Sequence, residues 1–195
     1  MNGNEIIELA WRTYVEEFAQ FVGKASKAVS EGQAEVVTEQ GAAPGLYRGL
    51  YRVDFYGKGS AGRDLLGQTK IKPMATELTP DRRVRLDAPI EGAAGAMKVR
   101  MTQIVWDDVG IRHDAPGDLG AALGPWFEQW FDPDDKRKPD ANGIVGVIHA
   151  LTMEPGVMHV DFGTATPDAF WALMALLRDA GATKVVIGET RPPPR

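Results

Sequence analysis

The sequence contains no cysteine, only three histidines and no long apolar run. Without cysteine the chain cannot form a disulfide, a cysteine-ligated zinc site, an iron–sulfur cluster or a thiol nucleophile. No apolar segment approaches the roughly 20 residues that a membrane-spanning helix needs. The N-terminal segment carries acidic rather than basic side chains, so we expect no secretory signal there. These absences predict a soluble, cytoplasmic protein without membrane contacts.

The motifs of several enzyme classes are also missing. The sequence has no G-x-S-x-G nucleophile motif and no H-E-x-x-H zinc motif. Its glycine-rich segment, residues 58–64, lies between two predicted strands, whereas a phosphate-binding loop leads from a strand into a helix. An EF-hand loop starting at Asp132 would need glycine where Arg137 stands and glutamate where Gly143 stands. We therefore expect no cofactor and no metal, and we interpret residues 132–143 as a solvated linker.

The net charge of -5 is unevenly distributed along the chain. Residues 46–100 carry eleven basic and six acidic side chains, whereas the segments on either side are acidic. The overall acidity argues against binding to nucleic acid, because phosphate backbones select proteins with a basic excess. The basic middle could instead meet an acidic partner or a small anion, or its side chains could simply line the solvent face of a sheet. The anion-binding candidates are Arg48, Arg52, Lys98 and Arg100.

The hydrophobic pattern predicts an α+β protein with a mainly antiparallel sheet and a single domain over residues 1–191. The spacing of apolar residues predicts a long helix over residues 4–31. Its stripe consists of Ile7, Trp11, Tyr14, Phe18, Phe21 and Ala25. This stripe either packs on the sheet of the same chain or forms a coiled-coil seam that would make a homodimer. Alternation over residues 46–113 predicts a meander of about four strands.

The second half of the chain predicts two further units. An aromatic helix over residues 125–131 has Pro125 in its first turn. Residues 143–189 predict a β-hairpin, joined around Glu154-Pro155-Gly156, followed by a helix and a last strand, with a tail at 192–195. The aromatic helix and the acidic loop after it are either part of the core or a contact surface for a partner. The partner-binding candidates are Trp126, Trp130, Asp132, Asp134 and Asp135.

Two of the three histidines lie on the predicted C-terminal hairpin. If odd-numbered residues pair with odd-numbered residues, His149, His159 and Asp161 share one face of it. Two imidazoles beside a carboxylate have the composition of a general-base pair or a facial metal triad. Val145, Val147 and Leu151 fall on the same face, so core histidines are the alternative interpretation. A shift of one residue in register would separate the two histidines.

Three functional hypotheses follow from these observations. The first is a non-catalytic soluble binding protein that acts through protein–protein contacts, with the small, acidic α+β character of bacterial immunity and inhibitor proteins. This is an analogy of class without a shared motif. The alternative is a small enzyme or a ligand- or metal-binding domain that uses His149, His159 and Asp161. The third is a structural subunit that uses its N-terminal helix as the joint of an assembly.

Overall fold

The computed structural model describes residues 2–30, 34–40, 46–63, 69–75, 84–134, 136–141 and 144–188. These residues form three helices and nine strands. In chain order they are α1 (Gly3–Ser30), β1 (Ala34–Gln40), β2 (Leu46–Arg63), β3 (Thr69–Ala75), β4 (Val84–Ala94), β5 (Met97–Ile104), β6 (Val109–His113), α2 (Gly120–Phe131), β7 (Ala150–Glu154), β8 (Val157–Asp161), α3 (Pro167–Asp179) and β9 (Lys184–Ile187). The predicted α+β class is confirmed, and the predicted tail at 192–195 lies outside the described residues.

Helix α1 begins with a capping box and packs on the sheet of its own chain. The side chain of Asn2 accepts a hydrogen bond from the backbone N–H of Glu5, and the Glu5 carboxylate accepts one from the N–H of Asn2. On the inward face Ile6, Ile7, Ala10 and Tyr14 are buried in the main core. The first half of the predicted apolar stripe is therefore engaged within the chain.

Strands β4–β9 form the central mixed sheet in the order β7-β8-β6-β9-β5-β4. Strand β2 pairs with the outer edge of β7 over three residues, and β1 and β3 both pair with β2. The last strand, β9, lies between β5, to which it is parallel, and β6, to which it is antiparallel. Helix α3 therefore connects the parallel strands β8 and β9 across β6, as a crossover connection requires.

The hairpin of β7 and β8 has a two-residue turn, which corrects the register considered from the sequence. Glu154 pairs with Val157, which leaves only Pro155 and Gly156 as central turn residues. Gly156 has φ +73, a conformation that suits glycine after proline in such a turn. As a result Thr152 pairs with His159 and Ala150 with Asp161, so odd-numbered residues pair with even-numbered ones. His159 therefore lies on the same face as Thr152, whereas His149, just before β7, has the alternation of Leu151 on the opposite face.

Several predicted boundaries were wrong. The strand expected from residue 143 begins only at Ala150, and the predicted meander is interrupted because β9 separates β6 from β5. Strand β1 was not predicted. Helix α2 begins at Gly120, so Pro125 lies inside it rather than in its first turn. Proline there removes one helical hydrogen bond, and the burial of Leu123 and Trp126 on the same helix offsets this loss.

The helices cover one face of the central sheet and leave the other face accessible. The covered face contributes buried residues to one core with the helices: Met101, Ile111, Leu151, Met158, Val160, Val185 and Ile187. We call the opposite face of β5–β9 the open face, and its described side chains are exposed or half-buried. They are Lys98, Arg100, Thr102, Arg112, Thr152, Glu154, Val157, His159, Asp161, Lys184 and Val186.

Candidate functional site

The structure brings His149 together with Asp161 and with Tyr14 of α1. The Tyr14 hydroxyl is hydrogen-bonded to Nδ1 of His149 at 3.4 Å, and Oδ1 of Asp161 lies 3.8 Å from the same nitrogen. The ring of Phe18 stacks on Tyr14 and lies 5.6 Å from the imidazole, measured between ring centroids. The cluster of Tyr14, His149 and Asp161 therefore joins the N-terminal helix to the end of the C-terminal hairpin.

Burial keeps the imidazole of this cluster uncharged at neutral pH. It lowers the pKa of His149 to about 4, because the imidazolium would lose its hydration in the core. Burial, with the negative charges of Asp161 and Asp107, raises the pKa of the Tyr14 hydroxyl far above its usual range. Burial also raises the pKa of Asp107. An imidazole with so low a pKa is a weak base, so the cluster is better suited to hydrogen bonding than to proton transfer.

Gly163 fixes the position of the His149 ring. This glycine has φ +48, and a Cβ at its position would overlap the imidazole. Its N–H donates to the Asp161 carboxylate at 2.8 Å, and its carbonyl accepts from the indole of Trp106 at 2.9 Å. The turn after β8 thus holds both the carboxylate and the backbone against His149. Only glycine allows so close an approach in this conformation.

His159 is separate from this cluster, so the predicted triad is not formed. Its Nδ1 lies 3.0 Å from Oδ1 of Asp108, and both side chains are at least one-third exposed on the open face. The register of β8 against β6 pairs His159 with Gly110, which brings its side chain close to Asp108, just before β6. Among the described residues, no group of three His, Asp or Glu side chains could hold a metal ion.

The tryptophans predicted as partner contacts lie in the core. Trp126 is 5% exposed, and its indole N–H donates to the carbonyl of Ala169 in α3 at 3.0 Å. Trp130 is 9% exposed, and the guanidinium of Arg137 lies over its ring at 5.1 Å from the centroid. A partner could not reach either indole without opening the packing of α2 against the rest of the chain. Their burial agrees with the core interpretation of this helix.

Most described residues of the acidic loop after α2 are exposed, as expected for a solvated linker, but Asp132 and Arg137 hold the loop against the helix. The Asp132 carboxylate accepts hydrogen bonds from the backbone N–H groups of Lys136 and Arg137, which hold its pKa below the usual range. The Arg137 guanidinium donates to the carbonyls of Gln129 and Gly146. Asp134 is exposed and pairs with Lys136. The candidate Asp135 lies outside the described residues.

Four exposed cations form what we call the basic patch on the open face: Lys98, Arg100, Arg112 and Lys184. Lys98 is paired in register with Lys184 on the neighbouring parallel strand. Arg100 and Arg112 are both paired with Val186, one on each side of β9. Arg100 forms an ion pair with Glu91 at 3.5 Å. Among the described residues, no acidic side chain pairs with Lys98 or Lys184.

The anion-binding residues predicted from the sequence do not form one patch. Lys98 and Arg100 lie on β5, but Arg48 pairs with Ala150 at the far side of the central sheet, and Arg52 pairs with Val37 of β1. Five strand spacings separate β2 from β5, a distance of about 24 Å. Sequence reasoning missed Lys184 and Arg112, since only the insertion of β9 brings them beside Lys98 and Arg100.

Sequence reasoning also missed Tyr14, Asp108 and Gly163. Tyr14 belongs to the predicted apolar stripe of α1, and nothing in the sequence indicates that its hydroxyl has a polar partner. The glycine that follows Asp161 and Phe162 was a detectable signal, because a glycine after a strand often marks a tight turn or a close approach. The pairing of Asp108 with His159 depends on the order of strands, which local patterns do not show.

Within the described residues, no helix combines the length and the apolar character needed to cross a bilayer. Comparison with known proteins adds no resemblance: no protein-family model, no curated protein and no solved structure matches the chain.

Proposed function

We propose that this chain is a non-catalytic binding protein whose partner is another protein and whose contact surface is the open face. The observation that carries the proposal is that the helices cover only one face of the central sheet, while the open face keeps four exposed cations in one patch. An antiparallel sheet can have a solvated face for purely structural reasons. The arrangement of charge on this face favours a binding role.

The pairing of two lysines across β5 and β9 is unfavourable for the fold. Lys98 and Lys184 stand directly opposite each other, and like charges in that position destabilise a sheet. The Asp114 carboxylate accepts a hydrogen bond from the backbone N–H of Lys184, but no described acidic side chain forms an ion pair with either ammonium group. A residue pair that lowers the stability of a fold is often found at a functional site. An external group with negative charge would remove the conflict.

The alternative of a small enzyme has weaker support. His149 is buried and its pKa lies well below neutral pH, so it would act poorly as a general base. Asp161 lies beside His149, but His159 pairs with Asp108 instead of completing the predicted site. A binding protein of the immunity or inhibitor type needs no such chemistry, because it blocks its target by contact. A small, acidic α+β protein with an accessible sheet face is suited to that role.

Site-specific photo-crosslinking in cells of the source organism tests the proposal. A benzoylphenylalanine replaces Val186, at the centre of the basic patch, or Glu128, on the exposed side of α2. We expect one dominant protein adduct from position 186 that excess unmodified chain competes away, and no such adduct from position 128. Equal adducts from both positions, or none from position 186, would contradict the proposal.

A further inference from the structure

We infer that the basic patch binds an acidic segment of the partner in which carboxylates flank an apolar residue. This inference rests on the proposed function and specifies the partner's chemistry. The four cations surround Val186, which is half-buried and lies between Arg100 and Arg112 in one row across three strands. The surface therefore offers a small apolar centre with positive charge around it.

The spacing of the cations fits an extended peptide better than a single small anion. Arg100 and Arg112 lie two strands apart, about 10 Å between backbones. Lys98 and Lys184 lie two residues away from that row along β5 and β9, at about 7 Å. A single carboxylate has only two oxygen atoms, so it could not pair with all four groups at once. Side chains of several successive acidic residues could do so.

The charge of the whole chain favours a protein partner over a nucleic acid. The net charge is -5, so the basic patch is a local exception on an acidic molecule. A long polyanion would extend beyond the patch, and the acidic remainder of the surface would repel it. A short acidic segment would lie on the patch alone. Salt screens its repulsion by more distant acidic residues, because charges act over only about 8 Å at physiological ionic strength. The inferred acidic residues of the partner are therefore those that contact the patch.

The test measures binding of a defined probe to the full chain. The probe is a short fluorescent peptide with glutamates on both sides of a central leucine. Its binding is measured by fluorescence anisotropy at low salt. We expect the double substitution Lys98→Glu/Lys184→Glu to weaken binding about tenfold, since two ion pairs become repulsive contacts. The matched control is Lys136→Glu/Lys138→Glu in the exposed loop after α2, which makes the same change in net charge. The control should bind like the unmodified chain.

Each remaining outcome decides the question. Equal binding by both double variants, or equally tight binding of a single-stranded oligonucleotide, would overturn the inference. Failure of the unmodified chain to bind the peptide would do so as well, while a specific adduct at position 186 would still support the proposed function. Peptide binding that depends on Lys98 and Lys184, with no adduct at position 186, would support the acid-binding patch and contradict the proposed function. Circular dichroism of each variant checks that it is folded.

Discussion

His149 shows how a polar residue can be accommodated in this core. Its ring is enclosed by Tyr14, Phe18 and the backbone of Gly163, and Asp161 lies near its Nδ1. The neutral imidazole forms a hydrogen bond with the Tyr14 hydroxyl through Nδ1, so neither of these two buried groups lacks a partner. A charged imidazolium in the same place would be much less stable, because burial removes its hydration. The stability of the fold should therefore depend on pH through His149.

We expect the free energy of unfolding to fall as the pH drops from about 6.5 to about 4. In that range the unfolded chain binds a proton at His149, whose ordinary pKa is about 6.5, while the folded chain does not, since its pKa is about 4. Well above pH 6.5 His149 is unprotonated in both states, and the contribution is constant. The difference of about 2.5 pKa units corresponds to about 3 kcal/mol.

Denaturant unfolding of the unmodified chain and of His149→Gln, at neutral pH and near pH 4, measures this contribution. The variant should lose about 3 kcal/mol less than the unmodified chain across the range. Comparing the two chains cancels the effect of Asp107, whose raised pKa acts in the opposite direction. Parallel losses in both chains would show that His149 is not the group responsible.

At the scale of elements, α1 is a structural part of the domain. Its residues Ile6, Ile7, Ala10 and Tyr14 belong to the same buried core as the central sheet and α3. A helix that served only as the joint of an assembly would leave this stripe accessible to another chain. The packing therefore predicts that changes on the inward side of α1 act on stability first.

Substitution Ile7→Ala should cost about 2–5 kcal/mol of unfolding free energy, because it leaves a cavity at a fully buried position. The matched control is Leu9→Ala on the same helix, where the side chain is 43% exposed and the loss should stay within about 0.5 kcal/mol. Denaturant unfolding with size-exclusion chromatography measures both effects. A change of oligomeric state without loss of stability in Ile7→Ala would support the coiled-coil interpretation instead.

The elements with a strong local pattern were the ones that sequence predicted well. Apolar spacing located α1 to within a residue at each end, and Pro167 with Asp168 marked the start of α3. The register of β7 and β8 depends on the number of residues in the turn between them. The alternation of apolar and polar residues does not determine that number. That number decided whether His149 and His159 formed one site. The basic patch depended on the place of β9, which is a property of the whole sheet.

At the scale of the whole molecule, we expect the two opposed lysines of the basic patch to lower the stability of the fold. We expect Lys98→Glu alone to stabilise the fold by up to about 1 kcal/mol, because the new carboxylate would stand opposite Lys184 on the neighbouring strand. Lys184→Glu should do the same, whereas the double substitution restores a like-charge pair and should return stability to its original level. Lys138→Glu, in the exposed loop, should have no comparable effect.

Thermal unfolding at low and high salt measures these differences, since salt screens exposed charges and should reduce the gain. If the single substitutions lower stability, or if the double gain equals the sum of the single gains, the two lysines do not repel each other across the strands.

The position of β9 also has a consequence for the order in which the chain can fold during synthesis. Strands β5 and β6 leave the ribosome long before residues 184–187, yet β9 must enter between them. Until then the nascent chain exposes the inner edges of β5 and β6, which are open to mispairing with other strands. If β5 and β6 paired with each other early, they would have to separate again. Completion of the central sheet is therefore a late, long-range event that follows the translation of β9.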